Sequence, residues 1–167
     1  MLVKNNVILN EREINYKIRR IAFQIYESNV EETEIILAGI DKNGYILAKK
    51  LKAVLQKISP INPVLCKVII NKKEPQGPVS TSISESEYAN KSLILIDDVL
   101  NSGTTLIYGV KHFLNVPLKQ FKTAVLVNRN HKKYPIKADF KGLSLSTSLH
   151  EHIEVQIDKK PYEALLV

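Results

Sequence analysis

A chain of 167 residues, 44% of them hydrophobic, suits one domain spanning 1–167 with a substantial core and excludes a mainly disordered polypeptide. Its 24 Lys and Arg against 17 Asp and Glu leave a net charge of +7, which favours anionic partners, phosphates or nucleic acid, without choosing between them. No run of about 18 apolar residues occurs, and the opening MLVKNNVILNERE lacks the apolar centre of a secretion signal, so we expect a soluble cytoplasmic protein with no membrane partner.

Asn10-Glu11-Arg12-Glu13 has the form of a capping box, and Ile14, Ile18, Ile21 and Ile25 follow at helical spacing, which predicts an amphipathic helix over 11–28. The apolar run Glu34 to Ile40 reads as a strand. It breaks at Asp41-Lys42-Asn43-Gly44 and gives way to the helical series Leu47, Leu51, Val54, Leu55 and Ile58, which Ser59-Pro60 stops. Val64 to Ile70 reads as the next strand; it holds the only cysteine, Cys66, which has no histidine beside it and is expected to be a small core residue rather than a nucleophile. Residues 71–88 are poor in apolar side chains and punctuated by Pro75, Gly77 and Pro78. A connection of that length is a flexible lid or a disordered insertion. Ser92 to Ile96 reads as a strand, Leu106, Val110, Phe113 and Leu114 as a helical face, and Thr123 to Val127 as a further strand. The alternation predicts an α/β fold, a central parallel sheet flanked by helices. Ligands of such sheets bind beyond the carboxyl ends of the strands, here the loops 41–44, 71–88, 97–105 and 128–135.

One of those loops carries an unusual combination. In LILIDDVLNSGTTL, four aliphatic residues run into Asp97 and Asp98, and paired carboxylates at the end of a buried strand are costly unless they face water and a ligand that needs acceptors. Ribose hydroxyls and a hydrated Mg²⁺ need them. Asn101-Ser102-Gly103-Thr104-Thr105 then supplies backbone N–H groups, hydroxyls and a helix N-terminus, which together cradle one phosphate. A helix cap explains one acid, but not two acids followed by a phosphate-type turn. A ribose 5′-phosphate presents a diol and a phosphate to match.

Ile96-Asp97-Asp98-Val99 with Ser102-Gly103-Thr104-Thr105 resembles the 5-phosphoribosyl-1-pyrophosphate signature of the type I phosphoribosyltransferases. Val7-Ile8-Leu9, Arg20-Ile21-Ala22, Leu37-Ala38-Gly39-Ile40, Gly44 to Lys49, Ala124 to His131, Pro135 to Asp139 and Val155 to Asp158 extend the likeness, in order, to the family of bifunctional pyrimidine operon attenuators and uracil phosphoribosyltransferases. The resemblance implies a sheet with a small hood, Mg²⁺-assisted transfer of phosphoribose from phosphoribosyl pyrophosphate to a nucleobase, most simply uracil, and in many members binding to a leader RNA. By the same carry-over, Asp97 and Asp98 hold the ribose hydroxyls and the metal, directly or through its water shell, and Asn101 to Thr105 bind the 5′-phosphate. Lys42, Asn43 and Gly44 form the pyrophosphate loop; Lys72 and Lys73, the only cations of 71–88, close over the chemistry; Val127, Asn128 and Arg129 receive the base. A homo-oligomer, a dimer or higher, is expected.

The chain departs from its relatives in three places, carrying Asn43 and Thr104 where they usually have Arg, and Asn128 where they have Asp; its segment between Ile70 and Leu93 is also shorter. A lost charge-assisted phosphate contact costs about 1.5–3 kcal/mol. A weakly catalytic RNA-binding or nucleotide-sensing regulator of pyrimidine genes therefore stands as an alternative. So does a purine phosphoribosyltransferase, although Asn101 stands where purine enzymes carry an acid. His150-Glu151-His152 places two imidazoles on one face if extended, with no third ligand in view, and is expected to be solvated. Arg129, His131, Lys132, Lys133, Lys137 and Lys141 form a basic stretch, read either as a solvated loop or as a phosphate-contacting surface for RNA.

Overall fold

Asn10 separates a short strand, β1 (Asn6–Leu9), from the first helix, α1 (Glu11–Glu27). Its side chain accepts from the Glu13 N–H at 2.9 Å while the Glu13 carboxylate accepts from the Asn10 N–H at 2.9 Å, so the predicted capping box is formed. The computed structural model describes residues 6–167, and the first five residues of the opening stretch lie outside the described residues. The chain continues through β2 (Glu34–Ile40), α2 (Asn43–Ile58), β3 (Asn62–Ile69), β4 (Ser80–Thr81), α3 (Glu85–Tyr88), β5 (Ser92–Leu100), α4 (Thr104–Phe113), β6 (Gln120–Asn128), β7 (Phe140–Ser144), β8 (Ile153–Gln156) and β9 (Glu163–Leu166).

Six strands form one sheet in the order β4-β3-β2-β5-β6-β7, parallel throughout except for β4, and β1-β9-β8 form a separate antiparallel sheet, the hood. The period-2 alternation of the central strands sends Ile35, Leu37, Ile94 and Ile96 to one face, where α1 and α2 bring Ile14, Ile21, Leu47 and Leu51. Ile36, Ala38, Leu93 and Leu95 go to the other face, against Tyr88, Leu106 and Phe113. Each fully buried Ile, Leu or Phe side chain among these contributes about 1.5–3 kcal/mol. Cys66 is fully buried in this second cluster, and burial pushes its thiol upward, as suits a core residue.

Two expectations need correction. The connection predicted over 71–88 is irregular only in its first half: Ser80–Thr81 pairs back on Val68–Ile69, and Ser84 and Glu87 build a second capping box that starts α3 and seats Tyr88 in the core. Leu114 does not belong to the buried face of its helix, because α4 ends at Phe113 and Leu114, its C-cap, is 63% exposed.

The chain runs outward from β2 in one direction through β3 and in the other through β5, β6 and β7, so the β2–β5 junction is where the strand order reverses. Helix α2 leaves this junction toward the α1 side and α4 toward the opposite side. A crevice at the carboxyl ends of the two strands is the geometric result.

Candidate active site

Strand β5 delivers the acids. Its ladder with β2 ends at the Gly39–Ile96 pair, whereas its ladder with β6 continues to Leu100–Asn128. Asp97 and Asp98 thus lie inside the strand rather than after it, at the point where one neighbour has departed and the other still fixes the backbone. The vacated edge is filled by the start of α2. A Cβ on Gly44 would lie 2.6 Å from the Ile96 carbonyl oxygen and 3.0 Å from Asp97 Cα, so only glycine permits this approach.

Asp97 is 4% exposed. Burial, then the neighbouring Asp98 carboxylate, push its carboxyl well above the ordinary value of 3.8; Lys72 Nζ, 3.9 Å from Asp97 Oδ1, pulls the other way. Asp98 is less buried and better supplied: Oδ1 accepts from the Val99 N–H and Oδ2 from Asn43 Nδ2, both at 2.9 Å. The same Asn43 nitrogen donates to the Val155 carbonyl oxygen of β8 at 2.9 Å. One amide therefore ties the α2 start, the acid pair and the hood together.

The turn after β5 is shaped by Gly103, whose φ of 86° lies in the left-handed region and whose Cβ, if present, would fall 2.4 Å from Ile136 Cγ2. Ser102 Oγ and Thr104 Oγ1 are 2.9 Å apart, and the Lys133 N–H donates to the Ser102 carbonyl oxygen at 2.8 Å. The turn opens α4, so its free N–H groups and the helix dipole both favour an anion there.

Acids and turn share a cavity of about 330 Å³, completed by Lys72, Arg129 and, from the hood, His152 and Ile153. Arg129 is 4% exposed and donates from Nε to Thr147 Oγ1 (2.6 Å), from Nη1 to Asn101 Oδ1 (2.7 Å) and from Nη2 to the Ser148 carbonyl oxygen (2.9 Å). Of the expected site residues, Asp97, Asp98, Asn101 to Thr105, Lys72 and Arg129 meet at this cavity. Asn43 reaches it through Asp98, and Gly44 supports it from beneath. Lys42 and Lys73 are exposed and line no part of it. The Val127 side chain is fully buried in the first core cluster and lines no part of the cavity. The Asn128 side chain is also turned away, donating to Ser144 Oγ at 3.4 Å and accepting from the Asn130 N–H at 3.2 Å.

Thr147, Ser148, His152 and Ile153 were not picked out as site residues by sequence reasoning. They sit about twenty residues beyond Arg129 in a stretch without strong periodicity, and folding alone brings them back. His150 is exposed and His152 borders the cavity; among the described residues no three His, Cys, Asp or Glu side chains gather as a metal site. The basic stretch divides. Arg129 turns inward and His131 Nε2 is hydrogen-bonded to the Thr147 carbonyl oxygen at 2.6 Å, while Lys132, Lys133, Lys137 and Lys141 stay exposed.

A family model described as the phosphoribosyl transferase domain matches residues 5–160. The Bifunctional protein PyrR of Fusobacterium nucleatum is 32% identical over 166 residues, covering 94% of this chain and 93% of that protein. The Bifunctional protein PyrR of Alkaliphilus metalliredigens is 34% identical over 168 residues, covering 94% and 92%. Among solved structures, a hypoxanthine-guanine phosphoribosyltransferase of Bacillus anthracis matches with a TM-score of 0.76 at 20% identity, over 98% of this chain and 99% of that one. The hypoxanthine phosphoribosyltransferase of Trypanosoma cruzi matches with a TM-score of 0.78 at 14% identity, over 96% and 95%. At such identities these two likenesses speak for the fold.

Proposed function

Because this chain belongs to the type I phosphoribosyltransferase family, we propose that it transfers 5-phosphoribose from phosphoribosyl pyrophosphate to uracil and releases diphosphate. The observation that carries the reading is the buried acid pair of β5 opening onto the same cavity as the Ser102–Thr105 turn. Asp97 and Asp98 accept the ribose hydroxyls, and the turn's N–H groups and hydroxyls take the 5′-phosphate at the start of α4. The α2 start at Asn43 and Gly44, behind Asp98, is assigned the leaving diphosphate, and Lys72 meets the negative charge that grows on it. Cleavage at the anomeric carbon passes through a sugar cation, so electrostatics and exclusion of water carry the rate, with little covalent help from the protein.

Mg²⁺ suits this donor set, because an acid destabilised by burial and by a second carboxylate gains from a hard cation with oxygen ligands. Asp97 and Asp98 would hold it, directly or through water, and its positive charge would offset that of the diphosphate. The base enters between Arg129 and the hood residues His152 and Ile153. Uracil is favoured because Asn101, unlike an acid, takes no proton from a purine ring, and because the chain's likeness to the pyrimidine attenuator and uracil phosphoribosyltransferase family runs along most of its length.

A second reading, a nucleotide-sensing or RNA-binding regulator with little turnover, is supported by Thr104 and Asn43, which bring no positive charge to the cavity. Incubating the purified protein with phosphoribosyl pyrophosphate, Mg²⁺ and a panel of free bases separates the two. Diphosphate release should depend on uracil and exceed that with hypoxanthine or guanine. The reverse ranking would indicate purine salvage, and no release with any base would leave the regulator.

A further inference from the structure

All three nitrogens of Arg129 are engaged. A guanidinium carries five N–H groups and accepts nothing, and three of the five are spent on Asn101, Thr147 and Ser148 at 2.6–2.9 Å. This settles which way the Asn101 amide lies: only its oxygen can face Arg129 Nη1, so its NH₂ is on the other arm. Asn101 is exposed at the cavity, and among the described residues no acceptor meets that nitrogen. The Asn101 side chain also leaves its turn toward Arg129 and the Thr147–Ser148 segment, not toward Ser102 and Thr104, whose hydroxyls bond each other. It therefore stands apart from the phosphate cradle although its backbone belongs to the same turn.

We propose that Arg129 is a positioning residue for base selection: it locks the Asn101 amide so that the cavity presents a fixed hydrogen-bond donor to a carbonyl oxygen beside the ring nitrogen that becomes glycosylated. The proposal rests on the phosphoribosyl-transfer reading and names its substrate class, a pyrimidine with a 2-oxo group. As the N1–C1′ bond forms and the C1′–O bond to diphosphate breaks, the N1 proton leaves to water, and the negative charge gathered at O2 meets the Asn101 N–H. A purine that reacts at N9 while N7 keeps its proton would set donor against donor. A site built to hydrogen-bond one partner discriminates strongly against one that leaves its polar group unpaired.

Two variants test this from opposite sides. Asn101→Asp keeps an acceptor for Arg129 and replaces the donor by a second acceptor; Arg129→Lys keeps the charge and loses the fork. Steady-state kinetics with uracil and hypoxanthine should show the uracil-to-hypoxanthine ratio of kcat/KM falling at least about tenfold in both, while KM for phosphoribosyl pyrophosphate moves less than about threefold. Calorimetric titration with UMP and IMP gives the same comparison without turnover, and Asn101→Asp, at an exposed position, keeps it open if Arg129→Lys does not fold. A wild-type chain that turns over no base yet prefers UMP to IMP would remove the transferase reading and keep this one. Variants whose base or nucleotide ratio stays within about twofold of the wild type, or whose main defect is in KM for phosphoribosyl pyrophosphate, would overturn it.

Discussion

Asp97 is held in a state that folding alone would avoid. Its carboxyl is raised by burial and by Asp98, so between the ordinary value of 3.8 and its folded value the native chain keeps a proton that the unfolded chain has lost. Stability attached to this group is therefore present at low pH and drains away as pH rises through that window. Asp97→Asn removes the ionisation while keeping the shape. We expect it to raise Tm at neutral pH, each kcal/mol recovered appearing as about 2–4 °C in a domain of this size, and to flatten the fall of Tm from acid to neutral pH. The same substitution should abolish calorimetric binding of phosphoribosyl pyrophosphate. A lower Tm at pH 7 would mean that Lys72 more than repays the burial. Two acids closing an apolar run were legible as a site from sequence; that one of them is destabilised in place was not, because it depends on the β2–β5 ladder ending at Gly39–Ile96 while β5 runs on beside β6.

Among the elements, the connection from β3 to β5 departs most from its sequence reading. Its first half carries Lys72 to the cavity, while its second half is anchored by β4, by the cap of α3 and by buried Tyr88. The two lysines expected to act together are thereby separated in role. Lys72→Ala should lower kcat about tenfold or more with KM for phosphoribosyl pyrophosphate changed less than about threefold, since leaving-group charge develops only in the transition state. Lys73→Ala should leave both within about twofold. Equal losses from the two, measured by steady-state kinetics, would show that the whole segment closes during turnover. The strong helices were legible because apolar residues recur at helical spacing, and the central strands because they are nearly continuous apolar runs of five to seven residues. The hood was expected only through the family resemblance and β7 not at all: FKGLS, IEVQ and EALL are four or five residues long and mostly half-exposed, too short for a pattern to stand out.

At the scale of the molecule, the hood is continuous with the sheet's own core. Ile157 and Ala164 are fully buried in the cluster that α1 and α2 form on the sheet, and Tyr162 packs against it. The hood should therefore not melt by itself. Ile157→Ala should cost about 2–5 kcal/mol and lower a single unfolding transition seen alike by circular dichroism and tyrosine fluorescence; two separated transitions would mean that the hood is an independent unit. The three-element tie at Asn43 has a consequence of another kind. A ligand that binds Asp98 more tightly in one setting of the hood than in another must shift the hood toward that setting, and any force on β8 must return to the carboxylate with the same free energy. Sugar recognition and access for the base are thus reciprocal quantities in this chain, joined through a single amide nitrogen.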